Sequence, residues 1–227
     1  MPDPDDARPG DLPESRLYTF VDAGTECALY FLEGQRLIRD LALLQESSHG
    51  GFPYFRDAVL SFVPLIALIK RGEQVGLYID SEEPYFRLKI EASHHGDMRS
   101  TLVPETFDEV PREVTGLVRN VRIFPNNLAP YVSVLEADRL PLGEIVNRVL
   151  AESYQVSCAV RVSEASDQCV MLHALPALRS EDVPDRPPEW ARGRADSIAE
   201  WLAGIFSRGL LEGAEIVAAF REAGFRY

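Results

Sequence analysis

Any chemistry in this chain must be carried by four histidines, three cysteines and its scattered carboxylates. His94, His95 and Asp97 lie close enough in sequence to offer three metal ligands. Adjacent histidines on a strand point to opposite faces, however, and in a loop such a pair is ordinarily solvated. Cys27, Cys158 and Cys169 are odd in number and far apart, the pattern of reduced thiols rather than of a disulfide framework. Cys158 and Cys169 fall on two strands expected to pair, which raises the question of oxidation, but small buried apolar side chains are the simpler reading. His173 sits in an apolar strand, where a hydrogen-bonded structural role is expected. Glu33, Asp40, Glu82, Glu83 and Glu91 show no spacing that marks paired carboxylates. No GxGxxG, GxxxxGK[ST] or GxSxG occurs, and Gly50–Gly51 has neither the following Lys nor the strand-to-helix context of a phosphate cradle. The expectation is a protein with no catalytic residues, no metal site and no cofactor, and not an enzyme.

The elements that would position these residues begin near Arg16. Leu37, Ile38, Leu41 and Leu44 recur at helical spacing from Gln35 to Gln45, and Ser47 to Gly51 break the pattern. A second, largely buried helix is expected from Tyr54 to Lys70, kinked or restarted at Pro64 and closed by Gly72. The period then becomes two. Val75, Leu77 and Ile79, followed after a turn at Asp80 to Pro84 by Phe86, Leu88 and Ile90, describe a hairpin with one wet face. Further strands are expected at Met98–Val103, Thr115–Phe124 and Tyr131–Glu136. A helix from Pro141 to Ser153 follows, then strands Val156–Val162 and Cys169–Leu175, paired across a polar turn. The fold class is α+β, with mostly antiparallel sheets packed against helices and a C-terminal helical segment.

At the carboxyl end, Ile198, Trp201, Leu202, Ile205, Phe206 and Leu210 form an apolar stripe at helical spacing, and after Gly213 a shorter helix carries Ile216, Val217 and Phe220. Four regions result: a flexible acidic arm at 1–15, a core domain at 16–176, a Pro-rich linker at 177–194 and amphipathic helices at 195–227.

The 227 residues carry 23 Lys+Arg against 36 Asp+Glu, a formal charge of −13. That field repels polyanions, so neither nucleic acid nor an anionic membrane surface is an expected partner. The longest apolar run, Ala58 to Ile69, is too short for a bilayer, and the acidic start is unlike a secretory signal; a cytoplasmic location is expected.

The order of motifs resembles the heat shock protein 33 group of redox-regulated holdase chaperones. The resemblance runs from Arg16, Tyr18 and Phe20 through a helix after Thr25, Phe52–Pro53 and Ile69–Gly72 to the hairpin Val75–Ile90 with Pro84 at its turn. It continues through Met98–Arg99, Val132–Asp138, Ser153 with Gln155, and Val170–Pro176. In the last helices Leu210, Leu211, Ile216 and Phe220 fall at matching places. The helix between Pro53 and Lys70 is shorter than the family pattern, Ser100 stands where Gly follows Arg, and Gln168–Cys169 replace Gly-Gly. The family's CxC and CxxC zinc motifs are not found before Tyr227, so the resemblance implies a relative that lacks the thiol switch.

What the resemblance implies is a zinc-independent holdase, active without ATP, that binds unfolded or partly folded clients and forms a homodimer. Ile198, Trp201, Leu202, Ile205, Phe206 and Leu210 are its expected client-binding residues, docked on the protein's own core or released to a client. The alternative reading is that the same helices simply complete the core. Two other readings use the same fold: a regulatory or scaffolding protein with one specific partner, and a small-molecule enzyme using unrecognised residues.

Overall fold

The computed structural model describes residues 12, 14–22, 27–45, 52–105, 107–109, 111–125, 128–163, 166–175, 193–198, 200, 201, 204 and 213–227. Most of the expected acidic arm and of the Pro-rich linker lies outside them. Two antiparallel sheets organise the chain. The first has strand order β1 (Arg16–Asp22), β2 (Cys27–Glu33), β9 (Gln168–Ala174), β8 (Cys158–Val162). The second has order β5 (Met98–Val103), β4 (Phe86–Ser93), β3 (Gln74–Ser81), β6 (Glu113–Ile123), β7 (Tyr131–Pro141). Between them lie α1 (Gln35–Gln45), α2 (Phe52–Phe62) and α3 (Ile145–Val149), the last flanked by a 3-10 turn and a π turn.

The five-stranded sheet obeys its period-two pattern. Val75, Leu77 and Ile79 of β3 and Phe86, Leu88 and Ile90 of β4 face inward and are buried with Ile38, Leu41, Phe55, Val59 and Phe62 of the helices. Pro64, which has no N–H to continue α2, leads into a 3-10 segment Val63–Leu68 rather than a long second helix. Ser15, at the end of the expected arm, accepts a hydrogen bond from the Leu37 N–H at 2.8 Å and so satisfies one of the free donors at the start of α1.

The four-stranded sheet is covered on both sides. Ala28, Tyr30, Leu32, Val160 and Met171 face the main core, whereas Tyr18, Phe20, Leu29, Phe31, Val170 and Leu172 face a second apolar cluster. Its edge strand β8 is closed by the Asn147 amide, which accepts from Val160 N–H at 2.7 Å and donates to Val160 C=O at 3.3 Å, standing in for a neighbouring strand. Among the described residues no helix is long and apolar enough to cross a membrane.

A backbone constraint sits where β3 meets β6. Gly116 has φ +151°, beside a bulge between Val114 and Gly116, and a Cβ there would lie 2.2 Å from the Asp80 carbonyl oxygen. Gly116→Ala should therefore destabilise the protein by more than about 2 kcal/mol in chemical denaturation with an unchanged m-value; wild-type stability would contradict this close approach.

Candidate functional site

The outer face of the four-stranded sheet is the most aromatic surface of the molecule, and the C-terminal helices lie on it. β1 supplies Tyr18 and Phe20, and β2 supplies Leu29 and Phe31. Residues 193–198, with 200, 201 and 204, are helical (α4), and α5 spans Gly213–Glu222. From the helical side come Ala195, Ile198, Ile216 and Phe220, and from the end of the chain Phe225, all buried.

Phe220 is the hub. Its ring centroid lies 4.4 Å from Phe20, 5.2 Å from Trp201, 5.5 Å from Phe31 and 5.8 Å from Phe225, in stacked, tilted and edge-on pairings. Aromatic pairs of this kind add about 0.5–1.5 kcal/mol each beyond their area burial. Gly213 lets α5 start close to the sheet, since a Cβ there would lie 2.3 Å from the Tyr18 hydroxyl. The chain end is fastened by a two-bond bridge, Val21 N–H to Arg226 C=O at 2.7 Å and the reverse at 2.8 Å, which also covers edge strand β1.

Among the described residues the ion pairs across the contact are partly exposed. Arg161 of β8 pairs with Asp196 of α4, and Arg194 Nη2 lies 3.7 Å from Asp22. Pairs of this exposure contribute little, so apolar packing dominates the attachment. Within the sheet, Tyr18 donates to buried Glu33 at 2.9 Å. Burial pushes the Glu33 carboxyl above its ordinary value, outweighing the opposing Tyr18 hydrogen bond and Arg16 charge.

Of the six residues singled out in the sequence, Ile198 is buried in this contact and Trp201 packs against it partly exposed. Leu202, Ile205, Phe206 and Leu210 lie outside the described residues. Of the receiving residues, Tyr18 and Phe20 carry part of the resemblance but no expected binding role, and Leu29 and Phe31 carry neither. Their signal was the alternation of Tyr18 and Phe20 and the unbroken apolar run of β2. On the outer face of the larger sheet, Val132 and Val134 of edge strand β7 are 48% and 55% exposed and stand opposite Val121 and Arg119 of β6.

The other candidates disperse. Cys158 stands opposite His173 and Cys169 opposite Val162, so the two thiols are four rungs apart, about 13 Å at strand spacing and beyond disulfide reach. All three cysteines are free and buried. Burial pushes the Cys158 thiol up to about 12 and the Cys169 thiol up as well, which makes both inert as nucleophiles. Burial lowers the pKa of His173, whose Nδ1 has no hydrogen-bond partner. His94 Nδ1 accepts the Gly72 N–H at 3.1 Å, and Asp97 accepts from Ser93 Oγ at 3.0 Å, so these side chains support the turn after β4. Among the described residues no group of three or more His, Cys, Asp or Glu is placed to hold a metal ion.

Two antiparallel sheets with helices between them and a helical cover on the smaller sheet define an α+β fold that also occurs among solved structures. The 33 kDa chaperonin (heat shock protein 33 homologue) of Thermotoga maritima superposes with a TM-score of 0.59 at 10% identity, covering 88% of this chain and 69% of that one. The family model for the Hsp33 protein matches residues 15–205, and the chain belongs to the Hsp33 family. No curated protein matches the sequence.

Phe220→Ala should weaken the attachment of α4 and α5 by about 3–5 kcal/mol, seen as faster hydrogen exchange in α5 while β3, β4 and β6 stay protected; unchanged exchange in α5 would contradict the hub role. Because the folded protein binds the Glu33 proton more tightly than the unfolded chain, the contribution of Glu33 to stability is full below pH 4.5 and is lost as pH rises through its raised folded value. Glu33→Gln should flatten that fall in a pH series of melting temperatures, and an unaltered slope would refute the assignment.

Proposed function

We propose that this protein is an ATP-independent holdase that binds unfolding proteins through the apolar contact between the four-stranded sheet and the C-terminal helices. Family membership supports a chaperone role, and the observation that carries the mechanism is that contact. Both of its sides are aromatic and aliphatic among the described residues, and the chain leading into it holds Pro184, Pro187 and Pro188.

Its energetics suit exchange. Ile198, Ile216, Phe220 and Phe225 are buried in the contact and would each gain about 1.5–3 kcal/mol on burial against any apolar surface. A client that offers equivalent apolar side chains therefore competes with the protein's own helices for the same kind of contact. Release exposes two surfaces, the stripe containing Ile198, Trp201, Leu202, Ile205, Phe206 and Leu210, and the Tyr18, Phe20, Phe31 face that receives it.

The burial of all three thiols, with Cys158 and Cys169 poorly ionised, supports a mode of action without a cysteine switch in this stretch of chain. The charge of −13 supports a further role, keeping a complex with an apolar client soluble, and disfavours nucleic acid as a partner. We place the protein in the cytoplasm as a homodimer, in which the apolar C-terminal helices are the elements suited to exchange between subunits.

Full-length protein should suppress light scattering from a heat-denatured client without ATP or oxidant, and inertness at stoichiometric excess would overturn the reading. The Trp201→Asp, Phe206→Asp double variant should alter client retention severalfold while residues 16–176 stay folded. Collapse of the whole protein would show instead that the helices simply complete the core.

A further inference from the structure

We propose that the acidic N-terminal stretch, residues 1–14, docks on the outer face of the larger sheet, where four cations gather around Tyr78. This goes beyond the holdase reading and concerns a different sheet.

Strand alternation places Tyr78 and Asp80 of β3, Arg87, Lys89 and Glu91 of β4, Arg99 and Thr101 of β5 and Arg119 of β6 on that face. Leu77, Ile79, Leu88 and Ile90 point the other way, into the core. Lys89 Nζ and the Arg119 guanidinium lie 5.0 and 5.8 Å from the centre of the Tyr78 ring. Asp80 is shared by Arg119 and by Arg87 at 3.5 Å, and Glu91 is shared by Arg99 and by Lys89 at 3.3 Å. Four cations thus meet two carboxylates, and two positive charges are left over. Ion pairs elsewhere match one to one, as in Arg36 with Asp40, Arg139 with Glu113 and Arg148 with Glu152.

The neighbouring acids set the direction of approach. Glu136 of β7 lies on the same face but two strands from Asp80, and Glu82 and Glu83 occupy the turn between β3 and β4, beyond Arg87. An acidic segment therefore fits best along Arg99, Lys89 and Arg119. A cavity of ≈ 350 Å³ bordered by Tyr78, Lys89, Thr101 and Arg119 gives its side chains room.

Charge and reach select the occupant. The protein carries −13 overall, so an acidic partner arriving from solution is repelled at long range, whereas a tethered segment is already present. Residues 1–14 hold Asp3, Asp5, Asp6, Asp11 and Glu14 against Arg8 alone. They enter the fold at Ser15, which accepts the Leu37 N–H at the start of α1, and α1 packs against β5, an edge of the larger sheet. α1 is about 16 Å long, and Arg119 lies three strands from β5, about 14 Å. Fourteen extended residues span about 45 Å, so Asp3, Asp5 and Asp6 reach the cations once the chain rounds the β5 edge. Each exposed pair is weak, but a tether of this length presents the acids at roughly millimolar effective concentration, and several pairs acting together populate the docked state.

The test is paramagnetic relaxation in the full chain, with a nitroxide attached to Ala7→Cys; the three native thiols are buried, which keeps the labelling selective. At low salt the amides of Lys89, Thr101 and Arg119 should lose about half or more of their intensity relative to the reduced label, and regain it in about 0.5 M salt, where screening shortens to about 4 Å. The triple variant Asp3→Asn, Asp5→Asn, Asp6→Asn, which leaves the folded body untouched, should abolish the loss, as should Lys89→Gln with Arg119→Gln. Undiminished intensity at low salt, or an equal loss in either folded variant, would overturn the proposal. Broadening in a mixture in which label and isotope never share a chain would give the face to a second copy's acidic stretch and overturn docking within one chain.

Discussion

The smaller sheet is apolar on both faces, and the rest of the structure follows from the need to cover it twice. β2 is buried at all seven positions. One face closes onto the helices and the larger sheet, where burial is contiguous with the main core. The other closes only because α4, α5 and the chain end fold back across it, with Phe220 at the centre and the Val21–Arg226 bridge at the margin. Uncovered, that face would expose Tyr18, Phe20, Leu29, Phe31, Val170 and Leu172 together, a patch that soluble proteins leave open only to bind something.

On the proposed reading, stability and function reside in different parts of one chain. The larger sheet and the helices beneath it hold long-range, alternating packing that does not involve the covering segment. Two charges on α4 meet the sheet or the strand beside it, Asp196 and Arg194, and both pairs are partly solvated. Attachment is thus apolar and non-directional, the kind of interaction for which an unfolding protein is a chemically equivalent substitute. The thiols, by contrast, are packing groups. Burial holds Cys158 and Cys169 protonated, and the register of β8 and β9 keeps them apart.

Legibility in the sequence tracked the range of the interaction that decides each feature. The helix Gln35–Gln45 and the Val75–Ile90 hairpin were readable because local periodicity and turn chemistry specify them. β1 and β2 were not read as strands: β2 is buried on both faces, so its apolar residues run without alternation. β7 was expected to stop at Glu136, before the turn signal at Asp138, but it runs to Pro141 by absorbing Arg139 at φ 49°. The pairing of β8 with β9 was foreseen, whereas its register, which separates the cysteines, depends on the turn and the facing sheet. For the site, the stripe through Ile198 and Trp201 is visible, but the face receiving it is assembled from β1 and β2, roughly 170–180 residues earlier in the chain, together with β9.

The central claim is that the covering helices exchange the protein's own sheet for a client's apolar surface. Hydrogen exchange followed by mass spectrometry, with and without a stoichiometric unfolding client, tests it most directly. The account predicts that client binding removes protection from α5 and from the Val21–Arg226 bridge while the amides of β3, β4 and β6 keep theirs. Retained protection in α5 with client stably bound would contradict it.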